Sequence, residues 1–217
     1  MSISIAENKD CMLAMKGFPD KYFELAIVDP EYGISYENGG QYFRKFQGKK
    51  WDGNPVSEEY FKELQRVSVN QIIWGANYFS FLPPYRCYIN WFKTVELQNR
   101  TFSECELAYT SFDEPSRQIE LRPFQRKGTR IHPTQKPIEL YKEVLRMFAK
   151  PNDKILDTHS GSGSLRIACY DLGFDSWNYE KDTDYFNAQE KRFKDHISQV
   201  RLFEPVPKEI IKDVELF

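Results

Sequence analysis

The stretch KILDTHSGSGSLRIACYDLGFDSWNYE, residues 154–180, decides the fold. Lys154 to Leu156 reads as a strand. Asp157-Thr158-His159-Ser160-Gly161-Ser162-Gly163 reads as a small-residue turn, and Leu165 to Leu172 as a helix stopped by Gly173. Residues 175–180 make the next strand, which ends on Glu180. Strand, glycine turn, helix, strand and terminal acid is the pattern of a nucleotide-binding βαβ unit. It predicts an α/β protein with a doubly wound, mostly parallel sheet. Glycines let a ligand approach the backbone, and a helix N-terminus presents free N–H groups. Glu180 stands 17 residues past Gly163, where an acid can accept both hydroxyls of a ribose. The turn lacks Gly-Lys-Ser/Thr and is led by an acid, so it is not a phosphate loop. A ligand with a ribose and a neutral or positive group fits it better than a pyrophosphate.

Upstream, Phe23 to Val28 (FELAIV) is a short apolar run closed by Asp29-Pro30, which reads as a buried strand ending in a loop. A carboxylate and a prolyl carbonyl at a strand end can both accept hydrogen bonds from one exocyclic amine. Tyr32 beside them offers a stacking face for the base that carries it. Residues 57–67 read as a helix capped by Ser57, with Tyr60, Phe61, Leu64 and Val67 on one face. Gln71 to Trp74, Arg86 to Trp91 and Cys105 to Thr110 read as strands, with at most one more near Gln118 to Leu121. Pro137 can open a helix carrying Ile138, Tyr141, Val144, Leu145 and Phe148, and a last helix runs from Asp182 to about His196.

The chain has 217 residues, 41% hydrophobic and 29% charged, which suits one α/β domain with an insertion and is too apolar for disorder. The N-terminus lacks the basic-then-apolar order of a signal peptide, and no apolar run approaches a membrane span. The four cysteines are scattered, which argues against a zinc site or a disulfide scaffold and points to a reduced cytoplasm. Net charge is −2, yet the basic residues cluster. Arg117, Arg122, Arg126, Lys127, Arg130 and Lys136 face Glu120 alone between positions 117 and 136. Arg44, Lys45, Lys49 and Lys50 face only Asp52 between 41 and 53. Two basic segments on a near-neutral chain suit contact with a polyanion, or two solvated loops.

Together these motifs resemble the S-adenosylmethionine-dependent amino-group DNA methyltransferases. Asp29-Pro30-Glu31-Tyr32 is similar to their catalytic Asp-Pro-Pro-Tyr, and His132-Pro133-Thr134-Gln135-Lys136-Pro137 to the segment before their cofactor half. The turn 157–163 is similar to their Asp-Pro-Phe-x-Gly-Ser-Gly, and Glu180 to their ribose-binding acid. The order, catalytic motif first, is that of the family's beta group. The resemblance implies catalytic roles for Asp29, Pro30 and Tyr32. It implies cofactor contacts from Asp157, His159, Ser160, Gly161, Gly163, Glu180, Thr134 and Lys136. Double-stranded DNA is the implied partner, held by Arg122, Arg126, Lys127, Arg130 and Tyr78, with the target base flipped out. No metal is implied. Asp at the head of the motif favours adenine N6 over cytosine N4 by family analogy. An RNA amine, or binding without transfer, are the other readings of the scaffold. Glu31 in place of proline, and Thr158-His159 in place of Pro-Phe, depart from the pattern.

The resemblance divides the chain into a catalytic half (1–93), a target-recognition insertion (94–131), a cofactor half (132–197) and a tail (198–217). So small an insertion suggests a homodimer or a short target. Trp74 reads either as core or as pocket lining. Gln199, Leu202 and Phe203 resemble a peptide that docks on a replication sliding clamp, or else anchor the tail to the domain.

Overall fold

The computed structural model describes residues 2–33, 55–93, 103–123 and 130–203. Arg126, Lys127 and the basic segment at 41–53 lie outside these described residues.

Why the central strands are strands is plain from their burial. β1 (Ser4–Asn8), β2 (Phe23–Val28), β3 (Ser68–Trp74), β4 (Tyr88–Phe92), β5 (Cys105–Thr110), β6 (Arg117–Glu120), β7 (Lys154–Asp157) and β8 (Asp175–Glu180) form one sheet. Its order is β1-β8-β7-β2-β3-β5-β4-β6. β5 runs antiparallel to both β3 and β4, and the other pairs are parallel. The expected mostly parallel, doubly wound sheet is what forms.

Parallel strands covered on both faces favour near-continuous apolar runs, and β2 departs from one only at half-buried Glu24. In β2, Leu25 and Ile27 face one core while Ala26 and Val28 face the other. The first core is closed by α3 (Ile138–Phe148) through Leu140, Tyr141, Val144, Leu145 and Phe148, and by Leu165 and Ala168 of α4 (Ser164–Leu172). The second is closed by α1 (Cys11–Met15) and by Tyr60, Phe61, Leu64 and Val67 of α2 (Glu58–Val67). Trp74 is fully buried in the first core, which decides its role as core.

Several boundaries move. The strand expected at 86–91 spans Tyr88–Phe92, and the one near 118–121 spans Arg117–Glu120. β1 and α1 are further elements beyond those expected above. The last helix, α5 (Thr183–Phe203), continues seven residues past His196. Gln199 to Phe203 is therefore its last turn and not an irregular tail.

The strand order sets the location of the site. From β7 the chain continues outward through β8, whereas from β2 it continues the opposite way through β3. Ligands of open α/β sheets bind at the carboxyl ends of strands where that order reverses. Here that crevice lies between Asp29, just past β2, and Asp157, at the end of β7.

Candidate active site

The turn after β7 is built by backbone geometry. Gly161 and Gly163 have φ of +47° and +69°, values that side-chain-bearing residues rarely adopt. A Cβ on Gly163 would meet the Gln189 side chain at 3.0 Å. Ser160 is held by backbone and side chain: its N–H donates to the Tyr179 carbonyl, and its Oγ accepts from Gln189 Nε2. Ser160 and Gly163 thus shape the turn from behind, while His159 and Gly161 face the crevice.

The crevice is a cavity of about 210 Å³. Asp29, Pro30 and Tyr32 line it from the β2 side; His159, Gly161 and Glu180 from the β7–β8 side; and His132 and Thr134 from the loop before α3. Motifs separated by more than a hundred residues in sequence meet in one space. Asp157 and Lys136 sit behind this lining.

Glu180 is anchored before any ligand arrives. Its Oε2 accepts the Gly161 N–H at 2.9 Å, and its Oε1 accepts the Asp182 N–H at 2.8 Å. Burial holds its carboxyl above the usual range, and the two backbone donors work against that. Each oxygen keeps a second lone pair, so a carboxylate fixed this way suits a diol. Five acids (Asp10, Asp29, Glu31, Glu180, Asp182) and two lysines (Lys9, Lys181) line the cavity, which suits a cationic nucleoside. Burial pushes Asp157 up to about 8, with Asp29 and Glu180 adding to it and the His159 N–H opposing it. The same burial, then Lys181, pushes His159 down to about 3, so its ring is neutral. That ring meets Tyr60 edge-on at 5.2 Å, and Thr158 Oγ1 lies 2.9 Å from His159 Nδ1 and 2.6 Å from the Tyr60 hydroxyl. These contacts give the Thr158-His159 replacement a packed, hydrogen-bonded setting.

Asp29 is held by two neighbours. Tyr32 donates its hydroxyl to Oδ1, and Lys136 Nζ lies 2.5 Å from Oδ2. Lys136, which the resemblance names among the cofactor contacts, sits buried against Asp29, with Glu106 Oε2 at 3.2 Å and the Trp74 ring centroid at 5.2 Å. Burial raises the Asp29 carboxyl, and Lys136 only partly offsets this. Tyr78 stacks on Tyr32 at 4.9 Å and 14° between planes, and is 42% exposed. Arg122 is exposed just beyond β6, and Arg130 is half-buried at the start of the loop leading to α3.

Glu31 forms an ion pair with Lys181 at 2.6 Å, joining the β2 loop to the residue after Glu180. The motif's missing proline is thus replaced by a link across the cavity. Asp10, Cys11, Met12 and Tyr60 also line the cavity, and Glu106 stands beside it, although none of them belongs to the motifs above. Asp10 was findable: it caps α1 by accepting the Met12 and Leu13 N–H groups, and an Asp before an apolar run signals a helix start.

The family model described as DNA methylase (N6/N4 type) matches residues 72–191. YubD of Escherichia coli (strain K12) is 23% identical over 205 residues, covering 84% of this chain and 87% of YubD. The crystal structure of M1.HpyAVI with SAM superposes with a TM-score of 0.59 at 20% identity, covering 87% of this chain and 98% of that one. The PvuII cytosine-N4-specific DNA methyltransferase superposes with a TM-score of 0.59 at 13% identity, covering 92% of this chain and 93% of that one. At these identities the two superpositions establish the shared fold.

Proposed function

Because the chain belongs to the DNA methylase family of N6/N4 amino-group methyltransferases, we propose that it methylates the N6 amine of adenine in double-stranded DNA. S-adenosylmethionine supplies an electrophilic methyl group on a sulfonium. The observation that carries the reading is the single crevice shared by Asp29, Pro30 and Tyr32 with the glycine turn and Glu180. Glu180 would hold the ribose, Gly161 would allow close approach of the ligand, and His159 would pack against it. Thr134 would border the donor from the loop before α3.

Adenine N6 is a poor nucleophile because its lone pair is delocalised into the ring. Asp29 accepts one amine hydrogen and the Pro30 carbonyl the other, favouring a pyramidal nitrogen with its lone pair directed at the methyl group. Tyr32 supports the flipped base by stacking. On taking the methyl group that S-adenosylmethionine would supply, the nitrogen would shed one proton, for which Asp29 is the adjoining base. No covalent enzyme intermediate is needed, and orientation supplies most of the rate. The preference for adenine rests on Asp rather than Ser at position 29, by analogy within the family. Arg122, Arg126, Lys127 and Arg130 would carry phosphates, and Tyr78 would contact the base or fill its vacated place.

The test is incubation with methyl-labelled S-adenosylmethionine and unmodified DNA, then mass analysis of the digested nucleosides. Labelled N6-methyladenine is expected. Label in N4-methylcytosine, or only when RNA is supplied, would replace the substrate assignment. Absence of label in all three would refute catalysis.

A further inference from the structure

Glu106 belongs to none of the motifs, yet it completes the surroundings of Asp29. It stands on β5, the strand that runs against its neighbours, opposite Trp91 in the β4–β5 register. Its Oε1 lies 2.7 Å from Lys93 Nζ, and its Oε2 lies 3.2 Å from Lys136 Nζ. Lys136 in turn reaches Asp29 Oδ2, and its third donor points at the Tyr32 hydroxyl at 3.4 Å. The result is a row of alternating charge, Lys93, Glu106, Lys136 and Asp29, drawn from the ends of β4, β5 and β2 and from the loop before α3.

We propose that Glu106 is a positioning residue for methyl transfer, sharing the Lys136 ammonium with Asp29 so that the Asp29 carboxylate keeps the acceptor strength its target amine requires. The inference rests on the reading of Asp29 as the acceptor of that amine. An ammonium has three donors, and all three of Lys136 are engaged. If Lys136 were paired with Asp29 alone, its whole charge would fall on that carboxylate, which would become a weaker hydrogen-bond acceptor. Glu106 draws part of the charge away and fixes Nζ at the end of a flexible four-carbon stem. Lys93 then balances Glu106, so the added acid is not left uncompensated in a half-buried site. Burial would raise Glu106 itself, but Lys136 and Lys93 outweigh it and hold the carboxyl low, so it is ionised and able to do this.

The experiment uses the full chain with Glu106→Gln and Glu106→Asp. Glu106→Gln is expected to lower kcat at saturating substrates about tenfold or more, the scale of one weakened charge-assisted hydrogen bond. S-adenosylmethionine affinity by calorimetry should stay within about twofold, and melting temperature within a few degrees; Glu106→Asp should restore part of kcat. A merely structural residue would move affinity and melting temperature together with kcat. A kcat for Glu106→Gln within about twofold of the parent overturns the proposal.

A second measurement does not depend on turnover. The Asp29 carboxyl carbon is titrated by NMR, with Asp29→Asn used to assign it. Lys136, Glu106, Tyr32, Tyr141 and Asp157 all act electrostatically on Asp29 or are acted on by it. Removing the charge of Glu106 lifts a repulsion and returns Lys136 wholly to Asp29, so the midpoint should fall in Glu106→Gln. An unmoved midpoint overturns the proposal. If the parent protein transfers no methyl group to DNA, the reading of the site fails, and this titration still decides whether Glu106 acts on Asp29.

Discussion

Replacing Asp29 by alanine probes the electrostatics of the site and its chemistry at once. Lys136 Nζ is 2.5 Å from Asp29 and 3.2 Å from Glu106, and its side chain is 3% exposed. Asp29→Ala takes away the nearer counter-charge while the cost of burying the ammonium stays. Deleting one partner of a buried ion pair costs about 3–5 kcal/mol. Glu106 remains as a second partner and Asp29 is 14% exposed, so the lower end, about 3 kcal/mol, applies. For a chain of this size that is a fall in Tm of roughly 6–12 °C. Lys136→Met alone strands Asp29 and Glu106 against each other and should cost a similar amount. The double variant removes both charges, so it should cost less than the sum of the singles by about 2 kcal/mol. Urea unfolding of the four proteins gives that coupling directly. Methyl transfer should be lost wherever Asp29 is absent, while S-adenosylmethionine affinity stays within about tenfold, because the carboxylate acts on the amine. Strict additivity would show that the pair carries no energy. Transfer at the parent rate by Asp29→Ala would refute the catalytic assignment.

Other outcomes follow from the same geometry. Gly161→Val places a β-branched residue at φ +47° with the His132 ring 3.5 Å from its Cβ, and Glu180→Ala removes the anchored carboxylate. Each should weaken S-adenosylmethionine binding, and unchanged calorimetric affinity for both would move the pocket elsewhere. Lys181→Met breaks the link to Glu31; with Lys181 56% exposed, stability should change by less than about 1 kcal/mol while the cofactor leaves faster. A dissociation rate identical to the parent's would deny Glu31 that bridging role. Arg122→Gln with Arg130→Gln should make the salt dependence of DNA binding shallower by about 0.9 for each phosphate no longer neutralised. An unchanged slope would leave the segment a solvated loop. Histidine in an unfolded chain titrates near 6.5, whereas burial keeps His159 neutral down to about 3. The unfolded state therefore gains a proton first as pH falls, and the stability held above about pH 6.5 is lost on the way down. His159→Phe should lose less Tm than the parent between about pH 7.5 and about pH 5; equal losses would contradict the buried, neutral imidazole.

What the sequence made legible, and what it hid, has a physical basis. β2 and the turn after β7 are readable because a doubly covered parallel strand favours a near-continuous apolar run, and a tight loop with positive φ favours glycine. Both constraints act locally and leave local marks. β1 left a faint mark, since it is a five-residue strand with half-buried and exposed positions, and α1 is too short to show a helical period. The end of α5 leaves no mark in the sequence, because periodicity fades near His196 while the first breakers, the prolines at 205 and 207, come later. Glu106 was invisible for a different reason. A single acid in a strand is common, and its meaning depends on the antiparallel insertion of β5 between β3 and β4, which brings it to a lysine 30 residues away.

The same dependence explains why the sequence does not show Lys136 beside Asp29. Its motif adjoins the cofactor half in sequence, but β2 and β7 are adjacent strands, so the loop before α3 crosses the mouth of both. A residue there can serve either strand end. Burial against Trp74, with Asp29 and Glu106 as its counter-charges, is what selects β2. The sheet order that places the crevice therefore also links its two sides: Lys136 reaches from the loop before α3 to Asp29, and Glu31 reaches back to Lys181. Removing the charge of Lys136 or of Lys181 should then be felt across the crevice at Asp29 or at Glu31.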